Sequence, residues 1–211
     1  YRNYGLESRI LTGYRIGKMK NTLSGGIRFY TGSTYRKSEG VGTTGTSYDI
    51  GVTGNYPRDI VFKSQNIAVF AENIFRITDK LILIPGIRYE WLHGAATGRN
   101  GYTGSGAEIL LQNIQRSRSF ILAGIGAEYH LTKTTEWYAN LSQAYRPIQF
   151  ANLQAPPTTD VVDPELKDAN GYNFDLGYRG KLKNYLQFDA SVFYLQYNNR
   201  VGTITPTGAS Y

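Results

Sequence analysis

The sequence predicts an all-β fold, an antiparallel meander of about eight long strands. Apolar and polar residues alternate with a period of two in successive runs, the pattern of a strand with one apolar and one polar face. Each strand of the last predicted hairpin is about ten residues long, close to the length that a tilted membrane-spanning strand needs. Short polar turns and long polar loops alternate strictly between these runs, and no helical pattern interrupts them.

The composition suits strands and turns better than helices. The 211 residues include 18 Tyr, 9 Phe and 24 Gly, and the longest aliphatic run, Leu81–Ile84, is too short for a transmembrane helix. The absence of cysteine excludes disulfides and thiolate metal sites. The net charge of +7 comes from Lys and Arg residues spread singly along the chain, so we expect no nucleic acid partner.

The first predicted hairpin consists of the alternating runs Tyr4–Ile16 and Leu23–Phe29, joined by the short turn Gly17–Asn21. After the second run comes a long polar segment, roughly Ser33 to Asp59, which is rich in Gly, Ser and Thr. Loops of this length are uncommon inside compact domains and are usually functional or mobile.

The second predicted hairpin repeats this arrangement. The runs Ile67–Ile77 and Leu81–Trp91 alternate on either side of the tight turn Thr78–Lys80. Pro85 fits the second run least well, because proline cannot donate a hydrogen bond to a strand ladder. A second long, Gly-rich loop is expected near Gly94 to Gln115.

The third predicted hairpin joins the runs Ile121–Leu131 and Trp137–Leu141 through the turn Thr132–Glu136. A third long loop follows, from about Pro147 to Asp168, and it carries the pair Pro156–Pro157. The turn and the loop again differ greatly in length, as they do in the two earlier hairpins.

The fourth predicted hairpin is the clearest. Tyr172–Tyr178 and Leu186–Tyr194 alternate along their whole length and flank a basic turn, Lys181–Asn184. Short turns on one side and long loops on the other are typical of outer-membrane barrels, in which the apolar faces meet lipid and the polar faces line the interior. A soluble sandwich alternates too, but with shorter strands and less regularly unequal loops.

Aromatic residues near the predicted strand ends fit the interfacial girdles of such barrels, although in a soluble fold they would simply be core. They are Trp91, Tyr129, Trp137, Tyr145 and Tyr194.

Several segments of the second half of the chain resemble the barrels of TonB-dependent outer-membrane receptors. Tyr145–Pro147 resembles the aromatic-Arg-Pro of that family, and Val162–Lys167 resembles its Asn-Pro-x-Leu-Lys-Pro-Glu segment, with a departure at Asp168–Ala169. Asn173–Arg179 is similar to the family's acidic-x-Gly-x-Arg strand.

The resemblance extends to the last hairpin and to earlier strands. These segments are Val192–Tyr194, Tyr197–Val201, Phe70–Asn73 and Pro85–Tyr89. The amino-acid sequence of the last hairpin is most similar to that of the ferric dicitrate type of receptor.

The resemblance implies a roughly 22-stranded transmembrane β-barrel that holds a plug domain. It also implies import of ferric chelates (siderophores or ferric citrate) across the outer membrane of a Gram-negative bacterium, with energy from the TonB complex. We expect residues 1–211 to be a fragment of that barrel domain, with the plug absent and outer-membrane lipid around it. The chain begins and stops abruptly. A complete eight-stranded barrel is the competing interpretation, since eight strands can close.

The reactive residues of the chain do not favour an enzyme or a cofactor. The two histidines, His93 and His130, are expected at strand ends on opposite ends of the sheet, without metal-ligand spacing. The inward acidic residues have basic neighbours, and cross-strand pairing explains them more simply than catalysis does. They are Glu7, Glu72, Glu90, Glu128 and Asp175.

Arginines near the long-loop ends of strands are the candidate ligand-binding residues, because guanidinium groups bind the carboxylates of a citrate-like chelate in a bidentate way. The candidates are Arg99, Arg116, Arg118 and Arg146, with Gln149 and Asn152 as amide partners, and Arg36 and Arg58 by position. A passive anion-favouring porin and a soluble β-rich adhesin or lectin-like module remain as alternative functions.

Overall fold

A computed structural model describes residues 1–38, 40–42, 52–53, 56–111, 114–148, 165–183 and 185–202. The described residues form strands, turns and irregular segments. In chain order the strands are β1 (Arg2–Ile16), β2 (Met19–Ser38), β3 (Val41–Gly42), β4 (Val52–Thr53), β5 (Arg58–Arg76), β6 (Leu81–Tyr102), β7 (Glu108–Leu110), β8 (Ile114–His130), β9 (Thr135–Arg146), β10 (Ala169–Leu182) and β11 (Leu186–Asn198).

The long strands pair in the order in which they occur in the chain. The sheet runs β1-β2-β5-β6-β8-β9-β10-β11, with the short strand β7 paired to β6, while β3 and β4 pair with each other. In β10, Arg179 is opposite Glu136 of β9 on one side and Asp189 of β11 on the other, as antiparallel pairing requires. The predicted antiparallel meander of eight long strands is therefore confirmed.

Strands β2, β5, β6 and β8 are longer than predicted, with 20, 19, 22 and 17 residues. The loop predicted to begin at Ser33 begins only after Ser38. Much of the loop predicted over Gly94–Gln115 belongs to β6, β7 and β8. The prediction was wrong there because the apolar face ends at Trp91 while backbone pairing continues through a polar, Gly-rich segment.

The ends of β9 and β10 agree with the predicted third loop, since β9 ends at Arg146 and β10 begins at Ala169. Trp91 and Tyr194, which were expected near strand ends, lie inside β6 and β11. Trp91 nevertheless occupies the last apolar position of its strand, because the next residue on the same face is His93.

Two of the short turns are stabilised in the same way, by a threonine side chain that accepts two backbone hydrogen bonds. Thr78 Oγ1 accepts hydrogen bonds from the backbone N–H groups of Lys80 and Leu81, at 3.2 and 3.0 Å. Thr132 Oγ1 does the same for the second and third residues after it, at 3.2 and 3.1 Å. Such side-chain bonds to nearby amides favour tight turns. Thr135 and Glu136, predicted as part of the second turn, begin β9 instead.

The first turn depends instead on a glycine with a positive φ. Gly17 and Lys18 alone separate β1 from β2, and Gly17 has a φ of 59°. A positive φ at the first of two turn residues joins antiparallel strands with the twist that they require, and glycine adopts it without steric cost.

The apolar face of the sheet is exposed. Val69, Ile87 and Ile121 are 50%, 53% and 59% exposed. Among the described residues, the buried apolar side chains are few and mostly small: Ile60, Ala68, Ala96, Ile148 and Ala169. A sheet with an exposed apolar face and a minimal core suits a lipid environment rather than water.

The apolar face has the length of a bilayer crossing. It extends over residues 67–77, 81–91 and 121–131, where Ile77 and Leu131 each lie one residue beyond the end of β5 and β8. About eleven residues at about 3.3 Å each, tilted by about 45°, cover a height of about 25 Å. The described part of the chain contains no helix that is long and apolar enough to cross a membrane.

The chain divides into two compact units. Unit 1 comprises Tyr1–Ile10, Gly25–Phe70 and Tyr89–Ile121, and it contains the long-loop ends of β2, β5, β6 and β8. Unit 2 comprises Leu11–Ser24, Ala71–Arg88 and Leu122–Tyr211, and it contains the short turns and the hairpin of β10 and β11.

Replacing Gly98 by alanine should destabilise unit 1. Gly98 has a φ of 131°, and a Cβ atom there would collide with the backbone of Asp59 and Ile60. We expect a loss of about 2 kcal/mol or more from strain and overlap. The measurement is the temperature at which the intact protein in detergent loses its folded, faster-migrating band in gel electrophoresis.

Gly104→Ala is the matched control, since Gly104 has open space around its Cα atom. Equal thermal stability of the Gly98→Ala and Gly104→Ala proteins would contradict this account of Gly98.

Candidate functional site

Arg99 is held by protein groups at the long-loop end of unit 1. Its Nε donates to the carbonyl of Pro57 at 3.1 Å, and its Nη2 donates to the carbonyl of Tyr56 at 2.7 Å. Its Nη1 pairs with Glu108 at 2.5 Å, and the guanidinium lies over the ring of Tyr102 at 4.7 Å. Only 18% of the side chain is exposed. Arg99 thus joins the start of β5 to β6 and β7.

Neighbouring basic residues of unit 1 are engaged in a similar way. Arg58 Nε donates to Asn100 Oδ1 at 3.1 Å, which links the start of β5 to the end of β6. Lys37 pairs with Asp59 at 3.4 Å and lies over the ring of Tyr56 at 5.6 Å. Because these cations are occupied by protein partners, they stabilise the strand ends.

Arg116 and Arg118 lie on the polar face near the start of β8, and both are half-buried. Arg118 has an interaction partner within the protein. Arg116 forms no hydrogen bond or ion pair with any residue in the described part of the chain. Arg36, near the end of β2, is exposed. Of the predicted ligand residues in unit 1, Arg116 is therefore best placed to meet an external anion.

Arg146 belongs to unit 2 and is the last residue of β9, opposite Ala169 of β10. Its side chain is exposed and has no partner among the residues whose positions are described. Gln149 and Asn152, its predicted amide partners, lie outside the described residues. The ligand-binding role of all three stays a prediction.

Asp168, just before β10, forms hydrogen bonds with residues at the end of β9 and just after it. One carboxylate oxygen accepts a hydrogen bond from the Tyr145 hydroxyl, and the other accepts one from the Ile148 backbone N–H at 2.9 Å. Ile148 is 7% exposed. One carboxylate therefore fixes both the departure of the chain from β9 and its return to β10. The sequence departs from the family motif at this position, but nothing in the sequence indicated the contact.

A charged network occupies the polar face of unit 2 near the short turns. Arg179 Nε donates to Glu136 at 2.5 Å, and its Nη2 donates to Glu128 at 3.3 Å. The guanidinium lies over the Tyr138 ring at 5.1 Å, and the Tyr138 hydroxyl donates to Asp189 at 2.9 Å. The network joins β8, β9, β10 and β11, and for Glu128 it bears out the expected pairing between strands.

Three members of this region could ligate a metal ion. One donor atom from each of Glu128, His130 and Glu136 lies within 4.8 Å of the others. His130 Nδ1 already contacts Glu136 at 2.8 Å, and Arg179 contacts both carboxylates. The guanidinium thus supplies the positive charge that a metal would supply there, and we assign the cluster a structural role.

Only one of the two histidines occupies the position expected of it. His130 is the last residue of β8, as predicted, but His93 lies inside β6, which continues to Tyr102. His93 Nδ1 is 2.8 Å from Ser117 Oγ on the apolar face of unit 1. The prediction for His93 failed because β6 is longer than its apolar pattern.

Comparison with known proteins identifies related sequences. The whole chain, residues 1–211, matches the family model described as TonB dependent receptor-like, beta-barrel. The rhizobactin receptor of Rhizobium meliloti (strain 1021) is 29% identical over an alignment of 154 residues, and the match covers 62% of this chain and 20% of that receptor.

Solved structures share the fold. The ferric-catecholate import receptor Fiu from E. coli K12, in its closed form, matches 98% of this chain and 32% of its own with a TM-score of 0.79 at 17% identity. The unliganded ferric citrate transporter FecA matches 94% of this chain and 28% of its own, with a TM-score of 0.70 at 19% identity. This chain therefore spans at most about a third of these relatives.

Replacing Arg179 by glutamine should weaken unit 2. The change leaves Glu128 and Glu136 without their cation, and we expect a loss of about 1–2 kcal/mol, reduced by the exposure of the site. Urea unfolding of the intact protein in detergent, followed by tryptophan fluorescence, measures the effect.

Lys181→Gln removes the same charge two residues further along the polar face of β10 and serves as the control. If the Arg179 and Lys181 variants unfold at the same urea concentration, the network does not stabilise the fold.

Proposed function

The chain belongs to the TonB-dependent receptor family of β-barrels, and we propose on this basis that it is part of a receptor that takes up ferric chelates. Proteins of this family are outer-membrane barrels of Gram-negative bacteria, and they act as receptors and transporters rather than as enzymes. The relatives described above include receptors for rhizobactin and ferric catecholates and a transporter of ferric citrate. The family match favours this function over a porin or a soluble binding module.

In this proposal the eight long strands form part of the wall of a larger barrel. The apolar face contacts outer-membrane lipid, and the polar face borders the interior. A plug domain and the segment that meets the TonB energy-coupling protein lie in other parts of a longer protein. The polar continuation of β2, β5, β6 and β8 beyond the apolar face supports a role in presenting external residues to a ligand.

The chemistry of the ligand follows from one observation, the half-buried Arg116 without a partner among the described residues. A guanidinium on the polar face near the start of β8 can form paired hydrogen bonds with a carboxylate. We therefore propose an anionic chelate of ferric iron, of the citrate or carboxylate-siderophore class, as the ligand. The iron is cargo and needs no protein ligand in this chain.

Arg116→Gln should lower the affinity of the intact receptor for ferric citrate by roughly threefold to tenfold, since one charge-assisted contact is lost. Isothermal titration of the receptor in detergent measures the affinity. Lys133→Gln, in the short turn before β9, removes the same charge far along the chain from the candidate residues and should leave the affinity unchanged. An unaltered affinity in the Arg116 variant would remove this residue from the site.

Arg146→Ala should weaken chelate binding without loss of the barrel. Arg146 ends β9 just before a long connection, and its exposed side chain makes no contact that the strand pairing needs. The titration used for Arg116 gives the affinity, and the heat-dependent gel shift reports the fold. Binding as tight as that of the unmodified receptor would exclude Arg146 as a ligand residue.

A further inference from the structure

His93 stands on the apolar face of unit 1, the face opposite to that of Arg116. Its Nδ1 is 2.8 Å from Ser117 Oγ, and its ring stacks with Trp91 at 5.9 Å and an angle of 8°. In the imidazolium form, or in the tautomer in which Ser117 donates to Nδ1, Nε2 carries a proton. That Nε2 has no hydrogen-bond partner in the described part of the chain.

A lysine lies near His93. Asn66 of β5 donates to Glu90 Oε2 at 2.7 Å and to the Trp91 carbonyl at 3.3 Å in β6. The residues just before Asn66 in β5 therefore lie beside those just after Trp91 in β6. Lys63 and His93 are on the same face of these segments, and opposite or diagonal neighbours on paired strands lie about 4.5–8 Å apart, which a lysine side chain can bridge. Lys63 is exposed and has no partner among the described residues.

Lys63 and His93 lie just beyond the lipid-facing band. The last large apolar residues of that band are Ile67 in β5 and Trp91 in β6, and Gln65 and His93 are the next residues on the same face. The step is two residues, or about 6.6 Å along a strand. Because the long loops of such barrels face outward, this level corresponds to the headgroups of the external leaflet.

The charges on this face favour an anion. Asp59, the acidic residue nearest to Lys63 in β5 on the same face, is paired with Lys37 at 3.4 Å. It lies four residues from Lys63, about 13 Å along the strand. The positive charge of Lys63 is thus left for an external partner, and Gln65 in the same strand and Ser117 beside His93 add polar groups.

We propose that Lys63 and His93 bind the phosphate of an outer-leaflet lipid headgroup, with the acyl chains of that lipid packed along Ile67 and Trp91. Continuity with the apolar band argues for an amphiphile, because its apolar part would cover the exposed side chains directly beside the phosphate. The aromatic ring of Trp91 supports the orientation of His93 at this boundary.

The test uses the intact receptor in detergent and diphosphorylated lipid A as the probe. Native mass spectrometry at increasing lipid concentrations gives the apparent Kd. We expect the double variant Lys63→Gln/His93→Gln to bind roughly tenfold more weakly. Arg28→Gln is the matched control: Arg28 is an exposed residue of unit 1 on the polar face of β2. It should bind lipid A like the unmodified receptor.

Two further measurements identify the ligand chemistry. Dephosphorylated lipid A should bind the unmodified receptor about as weakly as diphosphorylated lipid A binds the double variant. Inorganic phosphate at millimolar concentration should not displace the lipid, because it lacks acyl chains. The single variant Lys63→Gln, at an exposed position, should weaken lipid binding roughly threefold even if the double variant folds poorly.

The proposal is overturned if the folded double variant or Lys63→Gln retains the affinity of the unmodified receptor. Equal affinity for phosphorylated and dephosphorylated lipid A would also overturn it. Complete displacement by inorganic phosphate would identify a free-anion site in place of a lipid site. Chelate titration is independent of these results, because Arg116 lies on the opposite face of the sheet.

Discussion

The pairing of backbone hydrogen bonds between neighbouring strands is the constraint on which the rest of this structure depends. Lipid offers no hydrogen bonds, so every N–H and C=O group within the apolar band must find its partner in an adjacent strand. The chain meets this requirement with long strands paired in sequence order and tight turns of two to four residues at one end. A conventional core is dispensable, which is why the buried apolar residues are few.

Once the backbone is satisfied in this way, the two faces of the sheet serve separate purposes. One face presents large apolar side chains over the length of a bilayer crossing, and the other carries charges that a lipid-facing position would not tolerate. Arg179 pairs with Glu136 and Glu128, and Arg99 pairs with Glu108. In each pair the two side chains belong to different strands. Arg116 on the polar face and Lys63 on the apolar face have no such partner among the described residues. This is why an anion is proposed as the ligand of each.

The strands and short turns were predictable because a period of two and a threonine or glycine at a turn are local properties. The true lengths of β5, β6 and β8 were not, since polar residues can pair as strands without alternating in hydrophobicity. The partners of Arg99 lie up to 43 residues away. The Asp168 contacts join positions 20 and 23 residues apart. Such contacts depend on register between strands, which composition and local patterns do not specify.

Two hydrogen bonds of Asp168 fix the ends of the connection between β9 and β10. In the short turns, by contrast, the hydrogen bonds lie within the turn itself. The Asp168 carboxylate binds Tyr145 and Ile148 at the point where the chain leaves β9. The register of β9 and β10 therefore does not depend on the length of the segment between them. Lengthening a connection whose ends are already fixed costs little, because closure entropy grows only with the logarithm of length. The segment between Ile148 and Asp168 can therefore be exchanged or lengthened with little effect on the pairing of β9 and β10.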